Sequence, residues 1–189
     1  MKISTLFKAT LLLAITLTTS ACVVRSLNPY YTKERLIETP VEIQGKWIAH
    51  KKSRPWVVGK NKIITYGKKN VASSLVVRFF KVNGVLYSDS LPGAPGDKAA
   101  NEYWVFHVQP VHILSKVTYT NKTLVFQQIS PAALDKLIKQ HQLKLSRAYP
   151  DRTASSNVFI AKSADWIRFL EKFGTEPGLF KDTVKLTRQ

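Results

Sequence analysis

The stretch Val41-Glu42-Ile43-Gln44-Gly45-Lys46-Trp47 decides the fold, because apolar and polar residues alternate along it. Alternation with a period of two is typical of a β-strand that buries one of its faces. We therefore expect a first strand over residues 41–47. Its inward face would carry Val41, Ile43 and Trp47, and its outward face would be polar.

The sequence after this strand continues the β pattern. Asn83-Gly84 separates two apolar runs, and both of these residues tolerate the positive φ angles that a tight hairpin requires. A second hairpin is expected around Asn121-Lys122. The predicted strands after the first are 60–66, 74–82, 85–88, 103–108, 111–120, 123–129, 157–161 and 183–188, and 90–101 is predicted to be a loop.

Two helices are predicted in the C-terminal half. Ser130-Pro131 supplies an N-cap and a proline at the first helical position. The second helix is expected to begin at Ser163 and to end at Gly174, with an apolar stripe from Trp166 to Phe173. The fold class is therefore mainly β: an antiparallel calycin-like β-barrel of about eight strands with two short helices.

Cys22 is the only cysteine and follows a segment with the features of an export signal. Lys2 and Lys8 give a positive start, an apolar run follows, and small residues lead to the thiol. This order is typical of a bacterial lipoprotein signal, in which Cys22 receives a diacylglyceryl group. Ordinary cleavage after Ala21 is the alternative. It would leave a free thiol in an oxidising compartment.

The signal divides the chain into three parts. Residues 1–21 are interpreted as a lipoprotein signal peptide, 22–40 as a lipidated N-terminus and tether, and 41–189 as one domain. Val23, the residue after Cys22, is typical of lipoproteins sorted to the outer membrane. The expected location is therefore the outer membrane of the cell envelope, facing the periplasm.

The charge is strongly basic. The chain carries a formal charge of +17, which becomes +15 once Lys2 and Lys8 are removed with the signal. No acidic residue lies between Glu42 and Asp89, so this stretch would attract anionic surfaces. Export favours anionic lipid, lipopolysaccharide or acidic wall polymer over nucleic acid as the partner. The candidate contact residues are Lys51, Lys52, Arg54, Lys68 and Lys69. A surface whose charge serves only solubility is the alternative.

Gly45-Lys46-Trp47 resembles the G-x-W signature of lipocalins and the wider calycin group. In that group an arginine on the last strand packs over the tryptophan at the closed end of the barrel. The resemblance assigns these roles to Trp47 and Arg188. A typical lipocalin has one helix before its last strand, so the second helix departs from that pattern.

Nearly all of residues 41–189 also resembles a family of uncharacterised bacterial proteins, many of them lipoproteins. The shared features include the G-x-W start, the Asn83-Gly84 hairpin and a Pro110-Val111-His112 centre. The Ser130-Pro131 helix, a late aromatic helix and a terminal Leu186-Thr187-Arg188 complete the likeness. This resemblance implies the barrel and the lipid anchor, and it supplies no catalytic residue and no cofactor.

Catalytic and metal chemistry have weaker support in the sequence. His107 and His112 flank Pro110, but too few further ligands are nearby for a metal site to be expected. His112 is a candidate pocket residue, and it would serve as the base if Ser88 or Asp89 joined it in a hydrolase. No G-x-S-x-G elbow, phosphate loop or dinucleotide fingerprint is present.

These observations leave three functions open. The first is a non-catalytic envelope protein that binds an anionic or apolar ligand or a partner. The second is an envelope hydrolase with His112 as base. The third is an accessory subunit of an envelope assembly or secretion machine. An empty apolar barrel would favour a carrier, a polar cleft at His112 would favour an enzyme, and a filled barrel with an exposed apolar patch would favour a subunit.

Overall fold

The computed structural model describes residues 23–50, 53–66, 72–93, 111–149, 152–154 and 157–189. These ranges contain eleven strands, two α-helices and two 3₁₀ turns. The strands are β1 (Arg25–Ser26), β2 (Leu36–Ile37), β3 (Gly45–Ile48), β4 (Trp56–Val58), β5 (Lys62–Tyr66), β6 (Ala72–Val82), β7 (Val85–Pro92), β8 (His112–Tyr119), β9 (Thr123–Ile129), β10 (Val158–Phe159) and β11 (Phe180–Arg188). The helices are α1 (Pro131–His141) and α2 (Ser163–Phe173).

Eight of the strands form a closed antiparallel barrel, which confirms the predicted fold class. Strands β3 to β9 follow one another around the ring, except that β11 lies between β3 and β9. Pairing of β8 with β9 completes the closure. Because neighbouring strands alternate in direction, every second connection lies at the same rim of the barrel.

Inward-facing side chains fill the described interior of the barrel. Successive residues of a strand point to opposite faces, so one face of each strand supplies this core. Trp47, Leu124 and Leu186 have no solvent exposure. The same cluster includes Ile43, Val58, Ile63, Val77, Phe79, Leu86, Val117 and Phe126.

A second apolar cluster lies outside the barrel, where the helices cover the wall. Ser130 and Pro131 begin α1 as predicted, and Gly174 follows α2 as predicted. Trp166, Phe169, Leu170 and Phe173 of α2 are all buried against this cluster, as their helical spacing predicts. Burial of aromatic side chains on this scale fixes the helix on the outer face of β6 and β7.

The prediction for the first strand was wrong over residues 41–43. Val41–Ile43 forms a 3₁₀ turn, and the side chain of Val41 is 74% exposed. The strand begins only at Gly45, whose φ angle of +124° reorients the backbone. Ile43 is nevertheless fully buried, because the turn folds it into the end of the barrel.

The prediction of a tether over residues 22–40 was also wrong for the described part, 23–40. Val24 is 4% exposed, and Ser26 and Tyr30 are fully buried. Strand β1 pairs with β8 and β10, and β2 pairs with β6. The segment lacks a period because it contacts several elements in turn, and each contact is too short to leave a regular pattern.

Other boundaries moved by a few residues. Strand β7 continues to Pro92, so the first residues of the predicted loop at 90–101 are strand. Strand β4 was not predicted, and β11 begins at Phe180 rather than at residue 183. The predicted strand 103–108 and loop residues 94–101 lie outside the described residues.

Candidate functional site

Arg188 lies over Trp47 at one end of the barrel. The guanidinium carbon is 4.6 Å from the centroid of the Trp47 ring, and the two residues are directly paired between β11 and β3. The indole Nε1–H donates to the Ile43 carbonyl at 2.8 Å, and the Arg188 guanidinium donates to the Glu42 carbonyl. The exposed guanidinium thus covers a buried indole, and the 3₁₀ turn is bonded to both residues.

The basic residues singled out from the sequence occur along the chain between pairs of strands whose described ends lie at the opposite rim. One pair is β3 and β4, the other is β5 and β6, and the antiparallel pairing puts these strand ends at the same rim. Arg54 is exposed, and its guanidinium carbon is 5.4 Å from the centroid of the Tyr66 ring. This contact shows directly that the chain between β3 and β4 reaches the end of β5. The other four residues, Lys51, Lys52, Lys68 and Lys69, lie outside the described residues.

A second group of cations surrounds the end at which Trp47 and Arg188 meet. The Arg188 backbone N–H donates to the Lys122 carbonyl at 3.0 Å, and the Gln189 backbone N–H donates to the Lys46 carbonyl at 3.1 Å. Lys46, Lys122 and Arg188 are all exposed, as is Lys60 in the turn between β4 and β5. Sequence analysis did not group these residues, because only the barrel closure brings them together.

His112 forms a buried pair with Asp89. His112 Nδ1 lies 2.8 Å from Asp89 Oδ2 and 3.0 Å from Oδ1. The residues are 8% and 2% exposed, respectively. An ionised carboxylate only accepts hydrogen bonds, so the contact requires a proton on Nδ1. Asp89 therefore orients the imidazole ring, as a carboxylate does in a catalytic dyad.

The N-terminal segment covers this pair. The Tyr30 backbone N–H donates to Asp89 Oδ2 at 3.2 Å, and the Tyr30 hydroxyl donates to the Val24 carbonyl at 3.3 Å. Burial raises the pKa of Asp89 above its usual value, while the contacts with His112 and the Tyr30 backbone N–H oppose the rise. Burial also raises the pKa of the Tyr30 hydroxyl well above its usual value, and the nearby Asp89 carboxylate adds to the rise.

Serine residues stand on both sides of the pair. Ser88 precedes Asp89 in β7, so it points to the opposite face and into the barrel. Ser26 is directly opposite His112 in the β1–β8 pairing, but it is fully buried and its Oγ accepts the Asn28 backbone N–H at 3.2 Å. The structure thus joins His112 to Asp89 and leaves Ser88 on the other face of the sheet. Sequence analysis missed Ser26 and Tyr30, because both lie in the segment interpreted as a tether.

Surface grooves of the described part of the chain lie away from the pair. Three of the surface grooves border α1 and α2, and neither Asp89 nor His112 lines any of them. Within the described residues no three His, Cys, Asp or Glu side chains are arranged to hold a metal ion. His107 and Cys22 lie outside those residues.

Comparison with known proteins adds no family to this picture. No family model matches the chain, and neither a curated protein nor a solved structure matches it. In the described residues there is no helix with the length and hydropathy needed to cross a membrane.

Proposed function

We propose that this protein is an exported, lipid-anchored component of the cell envelope that binds an anionic ligand without catalysis. Cys22 would carry the lipid, and the chain would face the periplasm from the outer membrane. The ligand is a phosphate-bearing surface: anionic lipid, lipopolysaccharide or an acidic wall polymer. The contact residues would be Lys51, Lys52, Arg54, Lys68 and Lys69.

The observation that carries this proposal is the position of Arg54 at one rim of the barrel. Arg54 is exposed over Tyr66, and the strands flanking the two lysine-bearing connections end at that rim. Five cations occur in these connections, and no acidic residue lies between Glu42 and Asp89 to neutralise them. Each basic residue near an anionic surface contributes about 1 kcal/mol to attraction.

The interior and the buried pair support surface binding over a carrier or an enzyme. Phe79, Phe126 and Trp47 occupy the described part of the barrel, where a carrier would hold its ligand. The Asp89–His112 pair has the hydrogen bond of a catalytic dyad, and this contact is the one observation in favour of a hydrolase. Its burial under Tyr30 argues for a structural role. A filled barrel also fits an accessory subunit of an envelope assembly.

The lipid anchor is tested on the full chain expressed in a bacterial host. We expect metabolic labelling with a fatty acid to mark the protein and mass spectrometry to find a diacylglyceryl group on Cys22. The Cys22→Ala variant should lose both signals. An N-terminus at Cys22 with an unmodified thiol would reject the anchor, whatever the protein binds.

Ligand binding is tested with two variants of equal charge. The first replaces Lys51, Lys52 and Arg54 with glutamine, and the control replaces Lys46, Lys60 and Lys122 at the opposite rim. Both lose three positive charges, so a difference in affinity between them depends on where the charges lie and not on the net charge. We expect the first variant to bind anionic surfaces at least tenfold more weakly and the control to keep most of its affinity.

The probes distinguish the sources of the phosphate groups. Phosphatidylglycerol vesicles, purified lipopolysaccharide and a soluble acidic wall polymer are compared at physiological salt, since salt screens surface charge. The source that binds most tightly identifies the ligand class. Equal weakening of the two variants, or binding to none of the probes, would contradict the proposal.

A further inference from the structure

We infer that one flank of the molecule lies flat against the anionic leaflet that holds the Cys22 lipid. We call it the anchor face, and it is formed by Arg25, Tyr149 and Arg152. The inference rests on the proposed lipid anchor and goes further, because it fixes how the barrel is oriented on the membrane.

The lipidated residue lies only a short distance along the chain from the folded body. Val24 is buried, and only one residue separates it from Cys22. Two residues of extended chain span about 7 Å at most. Val24 is held in place because its carbonyl accepts the Tyr30 hydroxyl and because Arg25 pairs with both Ile113 and Val158. A lipid on Cys22 would therefore hold the barrel against the membrane, with no tether to let it turn away.

The pairing of β1 with β10 shows which surface is nearest to that point. Strand β1 runs parallel to β10, so the residues before Arg25 and those before Val158 lie at the same end of this small sheet. The segment 146–148 continues the sheet on the other side of β10, since the Ala148 backbone N–H donates to the Val158 carbonyl at 2.9 Å, and Tyr149 follows it directly. Tyr149 is thus two strand spacings, or about 10 Å, from β1.

The side chains of the anchor face have the chemistry of a membrane contact. Tyr149 is the second most exposed large apolar residue in the described chain, at 52%. The guanidinium carbon of Arg152 is 4.3 Å from the centroid of its ring. Tyrosine is enriched at membrane interfaces, where its ring sits at the head-group level, and arginine is attracted to anionic head groups. Neither Arg25 nor Arg152 forms an ion pair with another described residue, so both charges are available.

Hydrogen bonds hold the anchor face rigid. Asn157 is fully buried and links the segment on both sides: its Oδ1 accepts the Tyr149 backbone N–H at 3.1 Å, and its Nδ2 donates to the Arg152 carbonyl at 3.2 Å. Arg147 also donates to the Arg152 carbonyl at 2.9 Å while its other nitrogen pairs with Asp135 at 2.8 Å. An exposed aromatic residue held in place in this way loses little freedom on contact with a surface.

The test uses the lipidated full chain in vesicles of phosphatidylethanolamine and phosphatidylglycerol. Once Cys22 carries its lipid, a cysteine introduced elsewhere is the only free thiol and takes a single fluorescent label. Labels are placed by Tyr149→Cys and, as a matched control, by Tyr119→Cys, since Tyr119 is 39% exposed beside the β8–β9 turn. Arg152→Cys provides a second label on the anchor face if the first variant folds poorly.

We expect lipids that carry a quencher to reduce the fluorescence of the label at 149 or 152 at least threefold more than the fluorescence of the label at 119. Iodide in the water should show the opposite order. Equal quenching at the two positions in protein whose Cys22 lipid is confirmed by mass would overturn the anchor face and leave the proposed function standing. Absence of the lipid from Cys22 would instead reject the anchor, and the inference with it.

Discussion

Asp89 and His112 are joined by a hydrogen bond of 2.8 Å beneath the backbone N–H of Tyr30. Asp89 lies on β7, His112 begins β8, and Tyr30 belongs to the N-terminal segment. One carboxylate therefore connects two barrel strands to the chain that precedes the barrel. The arrangement explains why the N-terminal segment behaves as part of the domain: removing it would take one donor from the Asp89 carboxylate and uncover the pair.

Replacing His112 by glutamine should destabilise the protein, and the loss should grow with pH. His112 lowers the pKa of Asp89 against the opposing effect of burial, so its removal raises that pKa further. When the pKa of a side chain is raised in the folded state, its contribution to stability is fully present below the pKa of the unfolded side chain, about 3.9. That contribution is lost as the pH rises. We expect a loss of about 2–4 kcal/mol at pH 8 and a smaller loss at pH 4 by urea unfolding.

Asp89→Asn is the control for this pH dependence. Asparagine keeps an oxygen that accepts the Tyr30 N–H, and it cannot ionise. Combined with His112→Gln, it should remove the part of the pH dependence of stability that His112→Gln introduces. If the slope persists in the double variant, another group titrates and our account of the pair is wrong.

Tyr30 offers a direct test of the folded N-terminal segment. We expect Tyr30→Ala to reduce the free energy of unfolding by about 3–5 kcal/mol, because it leaves a cavity beside Trp166. Tyr30→Phe, which loses only the bond to the Val24 carbonyl, should cost about 1 kcal/mol. Tyr119→Ala at the exposed hairpin serves as the control and should change stability by less. Equal, small effects of the alanine substitutions at both positions would contradict the folded N-terminal segment and support a tether.

The contrast between these residues shows what the sequence could predict. The barrel and both helices were predictable, because Asn83-Gly84 and Ser130-Pro131 act through local backbone geometry and the apolar stripe of α2 has a regular period. Asn83 and Gly84 do adopt positive φ angles of 49° and 77°. Such signals need no knowledge of the tertiary structure.

The candidate site was predictable only for residues whose face of the sheet follows from the alternation along a single strand. Arg188 shares a face with Leu186, and its contact with Trp47 is the one that the calycin resemblance implied. Tyr30 and Ser26 gave no such signal, since they contact Asp89 and His112 across a long sequence separation. The pairing of Asp89 rather than Ser88 with His112 depends on strand register, which one sequence does not determine.

Arg188 should contribute to stability through packing as well as charge. Arg188→Ala exposes the indole of Trp47 and removes the bond to the Glu42 carbonyl, so we expect a loss of about 1–2 kcal/mol. Arg188→Lys keeps the charge without the planar guanidinium and should recover only part of the loss. Thermal unfolding measures both. Arg168→Ala, at a side chain that is 73% exposed on α2, is the control and should change stability by about 0.5 kcal/mol or less.

Gly174 controls how closely α2 approaches the barrel wall. A Cβ at this position would clash with both the Tyr87 hydroxyl oxygen and the Leu170 carbonyl oxygen, although the backbone φ of −60° suits any residue. Gly174→Ala should therefore destabilise the protein by about 1–3 kcal/mol through overpacking alone. Removing the hydroxyl by Tyr87→Phe gives up its bond to the Gly174 carbonyl and relieves one of the two close contacts, while the contact with the Leu170 carbonyl oxygen remains. We expect the double variant to be at least as stable as Gly174→Ala, with a favourable coupling energy in a double-mutant cycle. Strict additivity of the two losses would show that the Tyr87 hydroxyl does not limit the approach of α2 and that the contact with the Leu170 carbonyl accounts for the loss.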